Sequence, residues 1–215
     1  MSGVVRRAWG GFTHPGGLAI ASSVVLAGSY AIAVRRPVPE WELEHTEWIN
    51  NAPDAIADVL YPIMQLGTLA GPAIVAIGIA AVRRDWLLSG ATMLAGLTAW
   101  FGAKGVKRVV ERDRPLGFIA DIVIREGDGT GLGFVSGHSA VAATAAVMAM
   151  AALRGRWRLI PPVLAFLVGI ARVVHGVHLT ADIVGGWALG VLIGLGALGL
   201  VDVASRRPAA MEAAS

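Results

Sequence analysis

Cysteine is absent from the 215 residues, and charged side chains make up only 15% of them. The absence of cysteine excludes disulfide frameworks, thiolate nucleophiles and thiolate metal sites. The low charge content and the 55% of hydrophobic residues depart from the composition of a soluble domain toward that of a membrane protein. A net charge of +3 is too small to predict a nucleic-acid partner. The informative feature is therefore where charges are missing, because a charge in a lipid-facing span costs about 2.5–3.5 kcal/mol.

Long uncharged stretches predict membrane-spanning helices, since a hydrocarbon core of about 30 Å needs about 20 helical residues. They predict six spans, at about residues 18–34, 62–82, 86–106, 138–153, 157–174 and 183–201. The fifth reaches a spanning length only if Pro161 and Pro162 occupy its first turn. In the last span Gly186, Gly190 and Gly194 recur every four residues and predict close packing with another helix. The predicted fold is all-α, a six-transmembrane-helix bundle forming one membrane-embedded domain over residues 1–215.

The segment between the first two predicted spans, residues 40–58, is acidic and contains an apolar helical face. Trp41, His45, Trp48 and Ile49 share that face. We interpret the segment as a short interfacial helix that lies at the membrane surface, although the same face is also suited to binding a partner.

The first span has a second interpretation as a cleaved secretory signal. Arg6 and Arg7 precede an apolar run that ends in the small-residue pattern of residues 31–33, which imitates a cleavage site. The segment before the apolar run, residues 1–17, is long for a signal peptide, so we expect the span to be retained.

Three groups of polar residues are not explained as solvated loops. The first follows the third predicted span and contains two cations seven residues apart. On a helix that continues out of the membrane, Lys107 and Arg114 project from nearly one face. Pro115 disfavours helical conformation at Arg114, which would turn its guanidinium away from the helix axis. Two converging cations suit an oxyanion such as phosphate. A basic cluster attracted to anionic lipid headgroups is the alternative.

The second group, residues 131–138, is rich in glycine and lies at the start of the fourth predicted span. Glycines let the backbone approach a ligand closely, and N–H groups at a helix start favour anions. The segment lacks the lysine of a P-loop and the flanking glycine of a nucleophile elbow. Ser136, Gly137 and His138 therefore form either the rim of an anion pocket or a flexible linker capped by Ser136.

The third group joins the last two predicted spans and begins at Arg172. His178 and Asp182 stand four residues apart, on one face of the helix that opens the sixth span. An Asp within reach of a His accepts its Nδ1–H and leaves Nε2 as a base or nucleophile. A structural pair that caps the helix is the alternative. His175 and His178 have no carboxylate or cysteine at ligand spacing, so no metal site is predicted.

In this order the three groups resemble the three-part signature of the type-2 phosphatidic acid phosphatases, which are relatives of the vanadium-dependent haloperoxidases. The motifs read K-x6-R-P, S-G-H and R-x5-H-x3-D, and the resemblance is strongest over residues 59–201. Two positions depart from the family pattern, which usually has Pro where this chain has Val135 and Ser where it has Ala171. Neither of the replaced family residues transfers a proton. The departures therefore affect the geometry of the loop and one hydrogen bond to phosphate, but not the chemistry.

The resemblance implies an order of chemical steps. His178 attacks phosphorus to form a phosphohistidine while Asp182 orients it, and His138 protonates the leaving oxygen and then activates water. The residues implied to bind the phosphoryl oxygens are Lys107, Arg114, Ser136, Gly137 and Arg172. No metal or other cofactor is expected, because three fixed cations take the place of Mg²⁺.

The predicted function is that of an integral-membrane lipid phosphate phosphatase. Its substrate is expected to be phosphatidic acid, phosphatidylglycerophosphate or a polyprenyl pyrophosphate, and membrane lipids are its other expected partners. Two alternatives stay open: a lipid phosphotransferase that uses the same intermediate, and an inactive lipid-binding homologue. Haloperoxidase activity is not expected, since that branch resembles soluble proteins. The sequence does not predict an oligomeric state.

The orientation in the membrane depends on how the site cations are counted. Lys and Arg are divided equally between the two sides, nine on each. When Lys107, Arg114 and Arg172 are set aside as site residues, the excess lies on the side of the termini, and the positive-inside rule then predicts cytoplasmic termini. The composition, rich in Ala, Gly and Arg, suggests a bacterial source. We therefore expect a bacterial cytoplasmic membrane with the active site facing the extracytoplasmic side.

Overall fold

The computed structural model describes residues 14–212, with side chains as far as residue 206. In this part of the chain the regular structure is helical, apart from one isolated antiparallel bridge between Asp113 and Leu132. The α-helices are α1 Pro15–Ala33, α2 Glu40–Asn50, α3 Asp54–Met64, α4 Ala70–Arg83, α5 Trp86–Val110, α6 Gly137–Ala152, α7 Ile160–Val174 and α8 Thr180–Glu212. Short 3-10 helices cover Gln65–Gly67, Pro115–Gly117 and Gly155–Leu159. The all-α prediction is confirmed.

Four helices among the described residues are each long and apolar enough to cross a membrane. They are α1, α5, α7 with its preceding 3-10 turn, and α8. α3 and α4 reach a spanning composition only together, and they are bent by 65° at the break between them. The span predicted over residues 62–82 is therefore interrupted by a bend near its start. α6 has 16 residues, fewer than a straight span requires, so the structure does not confirm the count of six spans.

The break between α3 and α4 lets the chain pass close to the fourth predicted span. Pro62 lies inside α3, and the helix gives way to a 3-10 turn at Gln65–Gly67. A Cβ atom added at Gly67 would lie 2.7 Å from the Cβ of His138. The bend therefore brings the backbone directly against a predicted catalytic residue.

α6 lies at the centre of the bundle and contacts α4, α5, α7 and α8. It is rich in alanine and buried over most of its surface, as expected for a helix that is apolar all round. Cβ atoms added at Gly186, Gly190 and Gly194 of α8 would lie 2.6, 2.2 and 2.7 Å from atoms of α6 or its N-cap residue. The predicted close packing is confirmed, and it sets the position of α6 against α8.

The segment predicted as one interfacial helix over residues 40–58 forms α2 and the first turns of α3. Pro53, the residue before α3, interrupts it, because proline disfavours helical conformation in the residue before it. Trp41 and Trp48 remain exposed, as an interfacial role requires. A neighbouring face of α2 is polar and buried, with Glu42, Thr46 and Asn50 at intervals of four residues.

α1 packs along α8. Ser29 and Ala33 of α1 are buried, and the Tyr30 ring centroid lies 6.3 Å from that of Phe134. Cleavage after residue 33 would remove these contacts. The basic residues of the alternative signal, Arg6 and Arg7, lie outside the described residues.

Candidate active site

The predicted site residues gather at one end of the bundle, around a cavity of about 380 Å³ between α5, α6 and the turn before α8. The predicted residues that line it are Lys107, Arg114, Gly137, His138, Arg172 and His178. Ser136 and Asp182 lie behind this lining and are completely buried. Three stretches that are distant in sequence therefore form one site.

The two cations of the first motif reach the cavity from different local structures. Lys107 lies in the last turn of α5, and its Nζ donates to the Leu132 carbonyl oxygen at 2.6 Å. The helix ends at Val110 because Glu111 has a left-handed conformation with φ of 50°. The prediction that a continuing helix carries Lys107 and Arg114 on one face is therefore wrong. Arg114 is extended before Pro115, as predicted.

Two arginines of the site retain unused hydrogen-bond donors. Within the described part of the chain, the buried Nε atoms of Arg114 and Arg172 have no acceptor. The other end of the Arg172 guanidinium pairs with the carboxylate of Glu126 and contacts the Met64 sulfur at 3.4 Å. Buried N–H groups normally have partners, so these donors are suited to the oxygens of a bound anion.

The second motif forms the N-terminus of α6. Ser136 is the N-cap, and its Oγ accepts from the Ser139 N–H at 3.4 Å. Its own N–H donates to the Asp182 carbonyl oxygen at 2.9 Å. Gly137 and His138 then open the helix on the wall of the cavity, where helical N–H groups favour an anion. Ser136 therefore caps the helix as one interpretation predicted, and the segment is part of the cavity wall rather than a free linker.

The third motif pairs a histidine with a buried carboxylate. The Nδ1 atom of His178 lies 3.2 Å from Asp182 Oδ2, which also accepts the Leu179 N–H at 3.0 Å. α8 begins at Thr180, so the prediction that both residues lie on the helix is wrong for His178. The contact forms because the turn before α8 folds back over its first turn. With Nδ1 held by a carboxylate, Nε2 is the ring nitrogen left for chemistry.

The surroundings of His178 favour its neutral form. Burial lowers the pKa of His178 well below its usual range, and the positive charges of Lys107, Arg172 and Arg114 lower it further. At neutral pH the imidazole therefore carries no charge and keeps a lone pair on Nε2, as a nucleophile requires.

Gly176 makes the chain reversal between Arg172 and His178. Its φ of +73° lies in the left-handed region. A Cβ atom added there would lie 2.4 Å from the Val123 carbonyl oxygen. The tight turn brings both side chains to the same cavity.

Arg112 is a site residue that the sequence interpretation missed. It is completely buried, and its Nη2 lies 2.5 Å from Glu42 Oε2, while its Nη1 lies 3.1 Å from both Glu42 Oε1 and Asp182 Oδ1. Glu42 Oε1 also accepts the Ala181 N–H of α8 at 2.9 Å. The guanidinium therefore holds Asp182 on the side opposite His178, and a buried cation of this kind requires such paired carboxylates.

A second group of missed residues fixes the loop over residues 111–136. The Asn50 side chain accepts from the Val123 N–H and donates to the Val123 carbonyl oxygen, both at 2.8 Å. Arg125 donates to the Asn50 and Val174 carbonyl oxygens at 2.8 and 2.7 Å. These contacts hold the loop, and with it Glu126, against the end of α7.

The two departures from the family pattern are both filled by buried apolar side chains. Val135 and Ala171 have no solvent exposure. The neighbouring His175 directs its Nδ1 to the Ala171 carbonyl oxygen at 2.7 Å. Among the residues that the structure describes, no group of three or more His, Asp or Glu side chains is arranged to hold a metal ion.

Comparisons with known proteins agree with this arrangement. The sequence profile of the PAP2 superfamily matches residues 16–206. The crystal structure of a transmembrane PAP2-type phosphatidylglycerolphosphate phosphatase from Bacillus subtilis is similar to the chain, with a TM-score of 0.60 and 25% identity over 92% of this chain and 96% of that one. The crystal structure of Aquifex aeolicus LpxE has a TM-score of 0.66 and 23% identity over 73% of this chain and 94% of its own. No curated protein sequence matches the chain.

Proposed function

The chain belongs to the PAP2 superfamily and is a membrane lipid phosphatase, and we propose that it acts through a phosphohistidine formed on His178. The observation that carries this proposal is the His178–Asp182 pair, with Nδ1 3.2 Å from Oδ2, on the wall of a cavity lined by basic side chains. A carboxylate-held neutral imidazole beside fixed cations is suited to attack a phosphorus atom whose oxygens those cations bind.

In the first step, His178 Nε2 forms a bond to phosphorus as the bond from phosphorus to the leaving lipid oxygen breaks. His138 takes up a proton when the phosphate anion binds beside it and donates that proton to the leaving oxygen, so the lipid leaves as a neutral alcohol or, from a pyrophosphate, as a monophosphate. Lys107, Arg114 and Arg172 bind the phosphoryl oxygens and stabilise their charge in the transition state. Asp182 stabilises the positive imidazole that forms.

In the second step, His138 accepts a proton from water as the water oxygen attacks phosphorus. The bond from phosphorus to Nε2 of His178 breaks, inorganic phosphate leaves, and both histidines return to their starting states. The Gly137 N–H and the Ser136 side chain support the phosphoryl group at the N-terminus of α6.

The proposed substrates are phosphatidic acid, phosphatidylglycerophosphate and polyprenyl pyrophosphate. The similar Bacillus subtilis protein supports phosphatidylglycerophosphate, because it is a phosphatidylglycerolphosphate phosphatase. We further propose that the chain resides in a bacterial cytoplasmic membrane with cytoplasmic termini. The cavity, at the end of the bundle opposite Arg84 and Arg154, then faces the extracytoplasmic side.

The test compares His178→Ala with His45→Ala, which removes an exposed histidine of α2. Phosphate release from the three lipids is measured in detergent solution with EDTA present. We expect His178→Ala to abolish release and His45→Ala to retain it. Turnover that survives in His178→Ala would contradict the mechanism. Labelled phosphate recovered in a second lipid instead of in solution would assign the chain to phosphoryl transfer rather than hydrolysis.

A further inference from the structure

The cavity contains more positive charge than one phosphoryl group needs. Besides the three cations already assigned to the phosphoryl oxygens, Lys104 and Arg108 line it. They lie four residues apart on α5, on the same face as Lys107. No Asp or Glu is among the described residues that line the cavity. The motifs that identified the site do not include either residue, so the function proposed above leaves them unused.

Lys104 lies on the side of the cavity where the leaving group departs. Its Nζ is 5.0 Å from the centroid of the Trp100 ring, and the Trp100 ring is 6.1 Å from that of His138. His138 is the residue proposed to protonate the leaving oxygen. Whatever is attached to that oxygen therefore extends past His138 toward Trp100 and Lys104.

We propose that Lys104 and Arg108 form a second anion subsite, which binds a further phosphate group on the leaving side of the substrate. This inference rests on the proposed function, because it takes the direction of the leaving group from the role of His138. In a lipid pyrophosphate the second phosphorus is bonded to the leaving oxygen itself, and in phosphatidylglycerophosphate it is separated from that oxygen by a glycerol. Phosphatidic acid has no second phosphate, so the subsite selects lipids with two phosphates over phosphatidic acid.

A simpler explanation of Lys104 and Arg108 is attraction to anionic headgroups around the protein, since both side chains are exposed. That explanation predicts the same loss for every lipid substrate when the charges are removed. The subsite predicts a loss that depends on the number of phosphates in the substrate. Substrate selectivity therefore distinguishes the two.

The experiment compares Lys104→Gln/Arg108→Gln with Arg35→Gln, which removes an exposed charge at the same end of the molecule but outside the cavity. The kcat/KM values for a polyprenyl pyrophosphate, phosphatidylglycerophosphate and phosphatidic acid are measured in neutral detergent micelles. We expect the double variant to lose about 10- to 100-fold on the substrates with two phosphates, the range for hydrogen bonds to charged groups. On phosphatidic acid we expect a loss of about threefold or less, as for a screened surface charge.

A second measurement uses inorganic pyrophosphate and inorganic phosphate as inhibitors of phosphatidic acid hydrolysis. The unmodified protein should bind pyrophosphate more tightly, and the double variant should lose most of that difference. An equal loss on all three lipids, or unchanged selectivity, would overturn the subsite. A loss confined to one of the two-phosphate lipids supports the subsite and shows which distance between the two phosphates the subsite accepts. Turnover that survives His178→Ala would instead mean that the proposed function has failed.

Discussion

Arg112 is the residue that most clearly connects the stability of this protein to its chemistry. Its guanidinium lies between the carboxylates of Glu42 and Asp182, and all three side chains are completely buried. Arg112 is the cation that both carboxylates contact; backbone N–H groups also donate to each of them, and His178 Nδ1 contacts Asp182. Removing the cation therefore leaves two buried negative charges close together, which a protein interior does not tolerate without a large cost.

We expect Arg112→Met to lower the free energy of unfolding by about 3–5 kcal/mol, the cost of breaking a buried ion pair. We also expect kcat to fall by about 10- to 100-fold, because Asp182 loses the contact that fixes it against His178. Thermal unfolding of the purified protein and phosphate release measure the two effects. Arg154→Met, which removes an exposed arginine at the opposite end, should leave both nearly unchanged.

The double variant Glu42→Gln/Arg112→Met separates charge burial from loss of packing. It retains only one buried carboxylate that has lost its cation, so it should be more stable than Arg112→Met while still showing reduced kcat. Equal stability of the two variants would mean that the destabilisation comes from lost packing rather than from unpaired charge.

The pH dependence of activity follows from His178. Its pKa is lowered by burial and by Lys107, so the imidazole stays neutral at pH values where a free histidine, with a pKa of about 6.5, is protonated. The pH dependence of kcat/KM reports the ionisation of groups in the free enzyme. We therefore expect protonation of His178 to lower kcat/KM only when the pH is well below 6.5. Lys107→Gln removes one of the cations and should shift the acid limb to higher pH.

The same pKa shift determines the sign of the effect on stability. Below about pH 6.5 the unfolded chain binds a proton at His178 that the folded protein does not bind. Stability should therefore fall as the pH falls through this range, and His178→Ala should weaken that dependence.

An acid limb of kcat/KM that stays in place in Lys107→Gln would argue against electrostatic control of His178.

At the scale of secondary-structure elements, the contact between α6 and α8 determines the geometry of the site. Ser136 caps α6, which begins with Gly137 and His138, while the start of α8 holds Asp182. The glycines of α8 let the two helices approach so closely that a Cβ at Gly190 would lie 2.2 Å from the Ala140 carbonyl oxygen. The distance between the proposed general acid, His138, and the proposed nucleophile, His178, therefore depends on a helix contact inside the membrane.

Two glycine substitutions on α8 should change stability in opposite directions. A Cβ atom added at Gly196 would have no neighbouring atom within 4 Å, so Gly196→Ala should stabilise the protein by up to about 1 kcal/mol through helix propensity. Gly190→Ala gains the same propensity but must separate α6 from α8, and we expect a net loss of about 1–3 kcal/mol with reduced kcat. Thermal unfolding in one detergent compares them. A change of the same sign in both would contradict the packing argument.

The elements also show where interpretation of the sequence reaches its limit. The uncharged stretch that predicted one span over residues 62–82 contains no charge to mark a break, yet the helix stops near Gln65–Gly67. At the bend Gly67 lies against His138 and Gly71 lies close to the Leu66 carbonyl oxygen. Periodicity and hydropathy carry no information about such contacts.

At the scale of the whole molecule, the absence of cysteine provides a direct test of orientation. Asp121→Cys places a thiol at the end that holds the site, and Arg154→Cys places one at the opposite end; both positions are exposed. In intact cells a membrane-impermeant maleimide should label only Asp121→Cys, whereas permeabilised cells should show label on both. The unmodified chain supplies the unlabelled control. Label on Arg154→Cys alone in intact cells would reverse the proposed topology.

The sequence predicts which polar residues gather around the cavity because chemistry restricts their types and their order. His178, Asp182 and the three cations stand out by charge in an apolar setting, and the structure brings them together. Arg112 escapes prediction because nothing local distinguishes it from Arg108. Glu42 lies on a helix whose tryptophan face dominates the pattern, although the repeat Glu42, Thr46 and Asn50 marks a buried polar stripe. Contacts between residues that are distant in sequence can be identified only from the three-dimensional structure.

The position of Arg112 along the chain sets the order in which its two buried ion pairs can form during synthesis. Arg112 lies 70 residues after Glu42 and 70 residues before Asp182. When the segment with Arg112 is made, Glu42 is already available to neutralise it, whereas Asp182 arrives only with the final helix. A nascent chain can thus bury its arginine safely but has no oriented nucleophile. We therefore expect hydrolysis of membrane lipid only once the last helix has docked, because His178 and Asp182 are both made at that stage.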